Sequence, residues 1–80
     1  MVKHVVVYGK PDCHLCDVIK DVIETVRRRR EFSLELRNIL DDPADYERYK
    51  QAIPVVTVDG REVARYRMTA AAFEAALGAQ

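Results

Sequence analysis

The sequence predicts an α/β fold with a single mixed sheet of four strands, laid out in the order β-α-β-α-β-β-α. Three observations point there. Apolar, β-branched runs of strand length alternate with stretches whose apolar residues recur every three or four positions. The dipeptide Asp59-Gly60 stands between two such runs and is the strongest short hairpin signal a sequence offers. At 80 residues the chain is one small domain, 1–80, too short to hold a second one beside it.

Lys3 to Tyr8 is a β-branched run read as a buried strand. From Cys13 to about Arg30 the chain reads as a helix. Leu15, Val18, Ile19, Val22, Ile23 and Val26 fall on one face, with Asp17, Lys20, Asp21, Glu24 and Arg28 opposite. Arg27 to Arg30 close it, where cations complement the negative end of the helix dipole. Such a run also suits an RNA- or partner-binding patch, but the neutral total charge favours a solvated helix end. Ser33 to Ile39 reads as the second strand, with Leu34 and Leu36 on one face. Asp42 is a good N-cap and Pro43 a good first residue for a short helix to about Lys50, packed through Tyr46 and Tyr49. The runs from Ile53 to Val58 and from Arg61 to Tyr66 flank the Asp-Gly turn. Thr69 caps a last helix from Ala70 to Leu77, which ends at Gly78. The first strand–helix–strand unit should be a right-handed parallel crossover, and the hairpin adds two antiparallel strands.

Composition narrows the function. Hydrophobic residues make up 49% of the chain, enough to fold without a metal or a disulfide framework. Lys and Arg number 13 and so do Asp and Glu, a balance that argues against a nucleic-acid-binding surface. No apolar run nears the roughly 18 residues of a membrane span. Met1-Val2-Lys3-His4 moves straight into a strand, without the n- and h-regions of a signal peptide. A cytoplasmic monomer is the expectation, with neither nucleic acid nor membrane as partner. In that compartment thiols are kept reduced, so two close cysteines point to catalysis or metal binding rather than to a structural disulfide.

Both cysteines lie in Lys10-Pro11-Asp12-Cys13-His14-Leu15-Cys16, between the first strand and the first helix. A C-x-x-C at that junction suits reversible dithiol–disulfide chemistry, because a helix N-terminus favours the thiolate. At about 100° per residue, Cys16 lies roughly 80° from the centre of the apolar stripe and Cys13 roughly 140° away. Cys13 should be exposed at the helix tip and Cys16 half-buried against the sheet. The exposed thiolate then attacks a disulfide, and the covered thiol resolves the mixed disulfide. Backbone N–H groups, Lys10 and protonated His14 lower the Cys13 pKa below about 8.5, while Asp12 opposes them.

Three rivals remain. Zinc on Cys13, His14 and Cys16 lacks a fourth ligand, since His4 is the only other imidazole and there is no second C-x-x-C. An iron–sulfur cluster bridged between two chains has no positive signal. Two merely packed cysteines fit poorly with a helix start. His4 is most simply a strand-end residue, and no metal is assigned.

At these residues the chain resembles a known family. The order β-α-β-α-β-β-α, a C-x-x-C opening the first helix and Ile53-Pro54 before the third strand resemble the thioredoxin fold in its minimal glutaredoxin form. Such a fold implies helices on both faces of the sheet. Tyr8 to Cys16 is similar to the glutaredoxin active-site stretch, including the lysine three residues ahead of the first cysteine. The Cys-His-Leu-Cys version looks closest to short bacterial glutaredoxin-like proteins. The resemblance implies that Cys13 is the nucleophile and Cys16 the resolving thiol, supported by Lys10 and His14. It also implies that Pro54 is a cis-proline facing Cys13, leaving the backbone of Ile53 free to pair with an extended substrate.

Two departures stand out. Glutaredoxins that bind glutathione well carry a glycine pair and an acidic residue leading into the last helix, where this chain has Arg65-Tyr66-Arg67-Met68-Thr69. Arg65 or Arg67 is a candidate for a substrate carboxylate, against the blander reading of exposed strand-end charges. The usual Pro-Tyr between the cysteines is His-Leu here, which favours a more oxidising couple within a range of about −180 to −270 mV. The leading expectation is a dithiol oxidoreductase that binds no cofactor. It reduces protein disulfides, low-molecular-weight disulfides or glutathione mixed disulfides. Glutathione, another low-molecular-weight thiol or a thioredoxin-reductase-like donor supplies electrons. The alternatives are a non-catalytic thioredoxin-fold module that binds a partner protein, and an iron–sulfur carrier.

Overall fold

The computed structural model describes residues 2–78. Strand β1 (Lys3–Gly9) leads through a turn into helix α1 (His14–Arg27), then β2 (Phe32–Asn38), a 3-10 turn (Ile39–Asp41), α2 (Pro43–Tyr49), β3 (Val55–Val58), β4 (Arg61–Arg65) and α3 (Ala70–Leu77). The sheet order is β2-β1-β3-β4. β1 runs parallel to β2 and antiparallel to β3, and β3 is antiparallel to β4 with an irregularity at Val56/Thr57. This is the mixed four-stranded α/β arrangement that the sequence predicts.

Alternation along the strands divides the core in two. Val5 and Val7 of β1 and Val56 and Val58 of β3 join Ile19, Ile23 and Val26 of α1 and Phe73 and Leu77 of α3 in one apolar cluster. Residues of the opposite parity, Tyr8 and Val55, pack with Ile39, Tyr49, Ala52 and Ile53. Helices therefore cover both faces: α1 and α3 one, α2 the other.

Local signals place most boundaries. The Asp42 side chain accepts from the N–H groups of Ala44 and Asp45, with Pro43 opening α2. The Thr69 hydroxyl accepts from the Ala72 N–H at the start of α3. Asp59 and Gly60 both take positive φ, 50° and 82°, as a type I′ hairpin turn requires.

Several expectations are corrected by packing. α1 stops at Arg27 rather than near Arg30, because the arginines beyond it turn toward α3. Arg29 Nε donates to Glu74 Oε1 at 2.6 Å, and Arg30 donates to the Gly78 carbonyl. Within the apolar stripe Val18 is 39% exposed and lies off the α1–α3 cluster, while Cys16 takes a buried place on the same helix. Leu36 is 55% exposed although it shares a face with the packed Leu34. Its end of β2 opens onto a groove instead of lying beneath a helix. β2 begins at Phe32 and ends at Asn38, and Ile39 is buried in a 3-10 turn instead of extending the strand. Of the two tyrosines of α2, Tyr49 is buried and Tyr46 is exposed. β4 ends at Arg65, because Tyr66 takes φ 66° and leaves the ladder.

Candidate active site

The cysteine pair stands where β1 gives way to α1. Asp12 adopts φ 60°, turning the chain so that Cys13 becomes the N-cap of the helix. Cys13 itself is extended (φ −107°, ψ 108°), and its Sγ accepts from the Cys16 N–H at 3.2 Å. Its sulfur thus takes the place a capping oxygen usually fills, satisfying one of the unpaired N–H groups of the first turn. The two residues are joined as a disulfide, with Cα atoms 5.2 Å apart.

The burial of the pair differs from the helical projection. Cys13 is half-buried rather than exposed, because it lies outside the helix and folds its sulfur back over the first turn. Cys16 is 4% exposed, more deeply buried than expected, and seats its sulfur against Gly9 of β1. Lys10, Pro11, Asp12 and His14 are all exposed around the pair. Lys10, Pro11, Asp12, Cys16 and Leu36 share the walls of a groove of about 270 Å³ that reaches Arg37 at the end of β2.

The Ile53–Pro54 peptide is cis, and Pro54 is buried while Ile53 is half-buried. The loop after β4 is tied to this segment: the Tyr66 N–H donates to the Pro54 carbonyl at 2.8 Å. The Tyr66 hydroxyl donates to the Gln51 carbonyl at 2.6 Å. Gly9, against the Cys16 sulfur, and Tyr66, bonded to Pro54, are among the residues that sequence reasoning missed. Gly9 carries a signal in hindsight, a glycine at the end of a buried strand. Tyr66 carries none, because nothing local marks a tyrosine for positive φ.

Arg65 does not offer a free guanidinium. Its Nε and Nη2 both bond Glu62, the latter at 3.2 Å, which raises the arginine pKa and lowers that of the glutamate. Arg67 is exposed, and its N–H donates to the Arg65 carbonyl at 2.6 Å. His4 lies at the opposite end of β1, where Nδ1 meets Ser33 Oγ at 2.6 Å and Nε2 lies 3.4 Å from Glu35. Behind the site, Tyr8 stacks against Tyr49 with ring centroids 4.5 Å apart, beneath the Arg37 guanidinium. Burial pushes the Tyr8 phenol above its ordinary value, reinforced by Tyr49 and Asp45. Asp45, 3.1 Å from Arg37, raises the arginine in turn. Among the described residues, no group of three or more His, Cys, Asp or Glu side chains is arranged to hold a metal ion.

A chain with a helix-capping Cys-x-x-Cys, a cis-proline ahead of β3 and this strand order is matched by a family model. The glutaredoxin-like domain (DUF836) model covers residues 4–78. The chain belongs to that family. Among solved structures, the glutaredoxin-like chain is similar to protein Ne2328 from Nitrosomonas europaea, with 25% identity and a TM-score of 0.84 over 98% of this chain and 94% of that one. It is also similar to protein XcR50 from X. campestris, with 28% identity and a TM-score of 0.75 over 89% and 91% of the two chains. Thioredoxin 1 from Thermosipho africanus shares the fold at 15% identity, with a TM-score of 0.61 over 90% and 91%. No curated protein matches the sequence. Among the described residues, no helix is long and apolar enough to cross a membrane.

Proposed function

We propose that this glutaredoxin-like domain is a dithiol thiol–disulfide oxidoreductase of the cytoplasm. The observation that carries the reading is the Cys13 sulfur at the N-cap of α1, bonded to Cys16 and accepting its N–H at 3.2 Å. A sulfur held there gains the partial positive charge of the helix N-terminus, which favours its thiolate in the reduced protein.

In the reaction, the Cys13 thiolate attacks one sulfur of a substrate disulfide, forming a mixed disulfide and expelling the other sulfur as a thiolate. Cys16 loses its proton and attacks Cys13 Sγ. This closes the Cys13–Cys16 bond and releases the second substrate thiolate. Two electrons and two protons pass from the dithiol to the substrate, whose thiolates take up the protons through solvent. Two molecules of glutathione or another low-molecular-weight thiol, or a thioredoxin-reductase-like donor, return the pair to the dithiol. Lys10 adds positive charge near the attacking sulfur, as does His14 when protonated, and Asp12 opposes them. The Ile53–Pro54 edge receives an extended substrate, and Arg67, rather than the Glu62-bound Arg65, meets a substrate carboxylate.

The test is the pH dependence of alkylation of the reduced protein, resolved by peptide mapping. Cys13 is expected to react selectively, with a midpoint below about 7.5. Cys13→Ser abolishes exchange, and Cys16→Ser accumulates mixed disulfides. Two cysteines titrating together near about 8.5 overturn the assignment and leave a non-catalytic partner-binding module as the better reading.

A further inference from the structure

Gly9 ends β1 and is buried, and its backbone gives no reason for a glycine. Among the described residues the glycines with positive φ are Gly60 and Gly78, at 82° and 75°. Gly9 lies in ordinary strand conformation, paired in register with Asn38. A glycine inside a strand costs conformational entropy and gives up a packing side chain, so its use there calls for a close approach from elsewhere. The approaching atom is the Cys16 sulfur. A Cβ built on Gly9 would lie 2.8 Å from Cys16 Sγ and 3.4 Å from Cys16 Cβ, the first too short for any real contact.

We propose that Gly9 is a positioning residue for the redox pair: the space left by its missing side chain seats Cys16 Sγ in the disulfide, so that Gly9 sets the balance between disulfide and dithiol. This rests on reading Cys13 and Cys16 as a working dithiol couple. In the disulfide, Sγ is fixed by its bond to Cys13 and cannot retreat from position 9. In the dithiol it is free to change rotamer, and the groove of about 270 Å³ whose walls include both Gly9 and Cys16 gives it room. A side chain at position 9 therefore crowds the oxidised form and spares the reduced one. The groove wall also bears Lys10, Asp12, Asp17, Lys20 and Arg37, so the freed thiol meets a polar surface when it turns.

The test equilibrates wild type and Gly9→Ala with glutathione buffers and counts dithiol and disulfide by alkylation and mass. One protein dithiol and one oxidised glutathione exchange two electrons and two protons to give one protein disulfide and two reduced glutathione molecules. Gly9→Ala is expected to shift this equilibrium toward the dithiol by about tenfold or more, equivalent to about 30 mV per factor of ten. It should also lower the Tm of the oxidised protein more than that of the reduced one. In a Cys16→Ala background, where the sulfur is gone, Gly9→Ala should cost little. An equilibrium constant within twofold of wild type overturns the proposal. So does an equal loss of Tm in the oxidised, reduced and Cys16→Ala proteins, which would make Gly9 merely structural. The measurement needs no catalysis, because the pair equilibrates with glutathione whether or not the protein turns over a substrate. Failure of the oxidoreductase reading is therefore seen separately.

Discussion

The two faces of the sheet are built differently. Under α1 and α3 lies a broad apolar cluster in which Phe32 and Phe73 meet edge to face, 5.3 Å apart, among valines, isoleucines and Leu77. Under α2 the cluster is thin: Ile39, Tyr49, Ala52 and Val55, closed by Tyr8 and edged by Arg37 and Asp45. The candidate site draws on both. Cys16 rides on α1, the helix packed on the broad cluster, and Cys13 caps it from just outside, whereas Ile53 belongs to the thin cluster. Burial of apolar area supplies most of the stability, so the broad face should dominate the folding free energy.

Truncation tests that contrast directly. Phe73→Ala, at a fully buried ring, should cost about 3–5 kcal/mol in denaturant unfolding. Tyr49→Ala should cost less, roughly 2 kcal/mol, because its cluster is small and borders solvent. An equal or larger cost at Tyr49 would break the comparison. The thin face should also show itself in alkali. The Tyr8 pKa is raised in the fold above the unfolded value of about 10, so the unfolded chain releases its proton first. The stabilisation is complete below about pH 10 and is lost as pH rises toward the folded pKa. Tyr8→Phe should flatten that alkaline loss, read as the denaturation midpoint against pH, and an unchanged slope would assign the loss elsewhere. The smallest effect is expected at Val18→Ala, within about 0.5 kcal/mol, because that valine lies off the broad cluster despite its place in the stripe.

Features that depend on neighbours along the chain were readable from residue types. Asp42 and Thr69 cap their helices through bonds two and three residues away, and Asp59-Gly60 makes its turn from its own backbone preferences. The spacing of Ile19, Ile23 and Val26 names the buried face of α1 for the same reason. The C-x-x-C at the mouth of that helix was readable too, although not its burial. Cys13 was placed on a helical projection when it is the cap just outside, and a cap points where the incoming turn directs it. The four arginines looked like one helix end, yet Arg29 and Arg30 find partners on and just after α3, more than forty residues away.

The sequence by itself therefore determined the order of elements, the caps of α2 and α3, the Asp59-Gly60 turn, most of the buried face of α1 and the place of the cysteine pair. All of these arise from interactions within about four residues or from strict periodicity. Only the tertiary structure decided which apolar residues are covered, leaving Val18 and Leu36 open while burying Cys16. It also brought Gly9 against the Cys16 sulfur and tied Tyr66 to Pro54 and Gln51. Those outcomes depend on where a second element ends in space, and no local spacing encodes that.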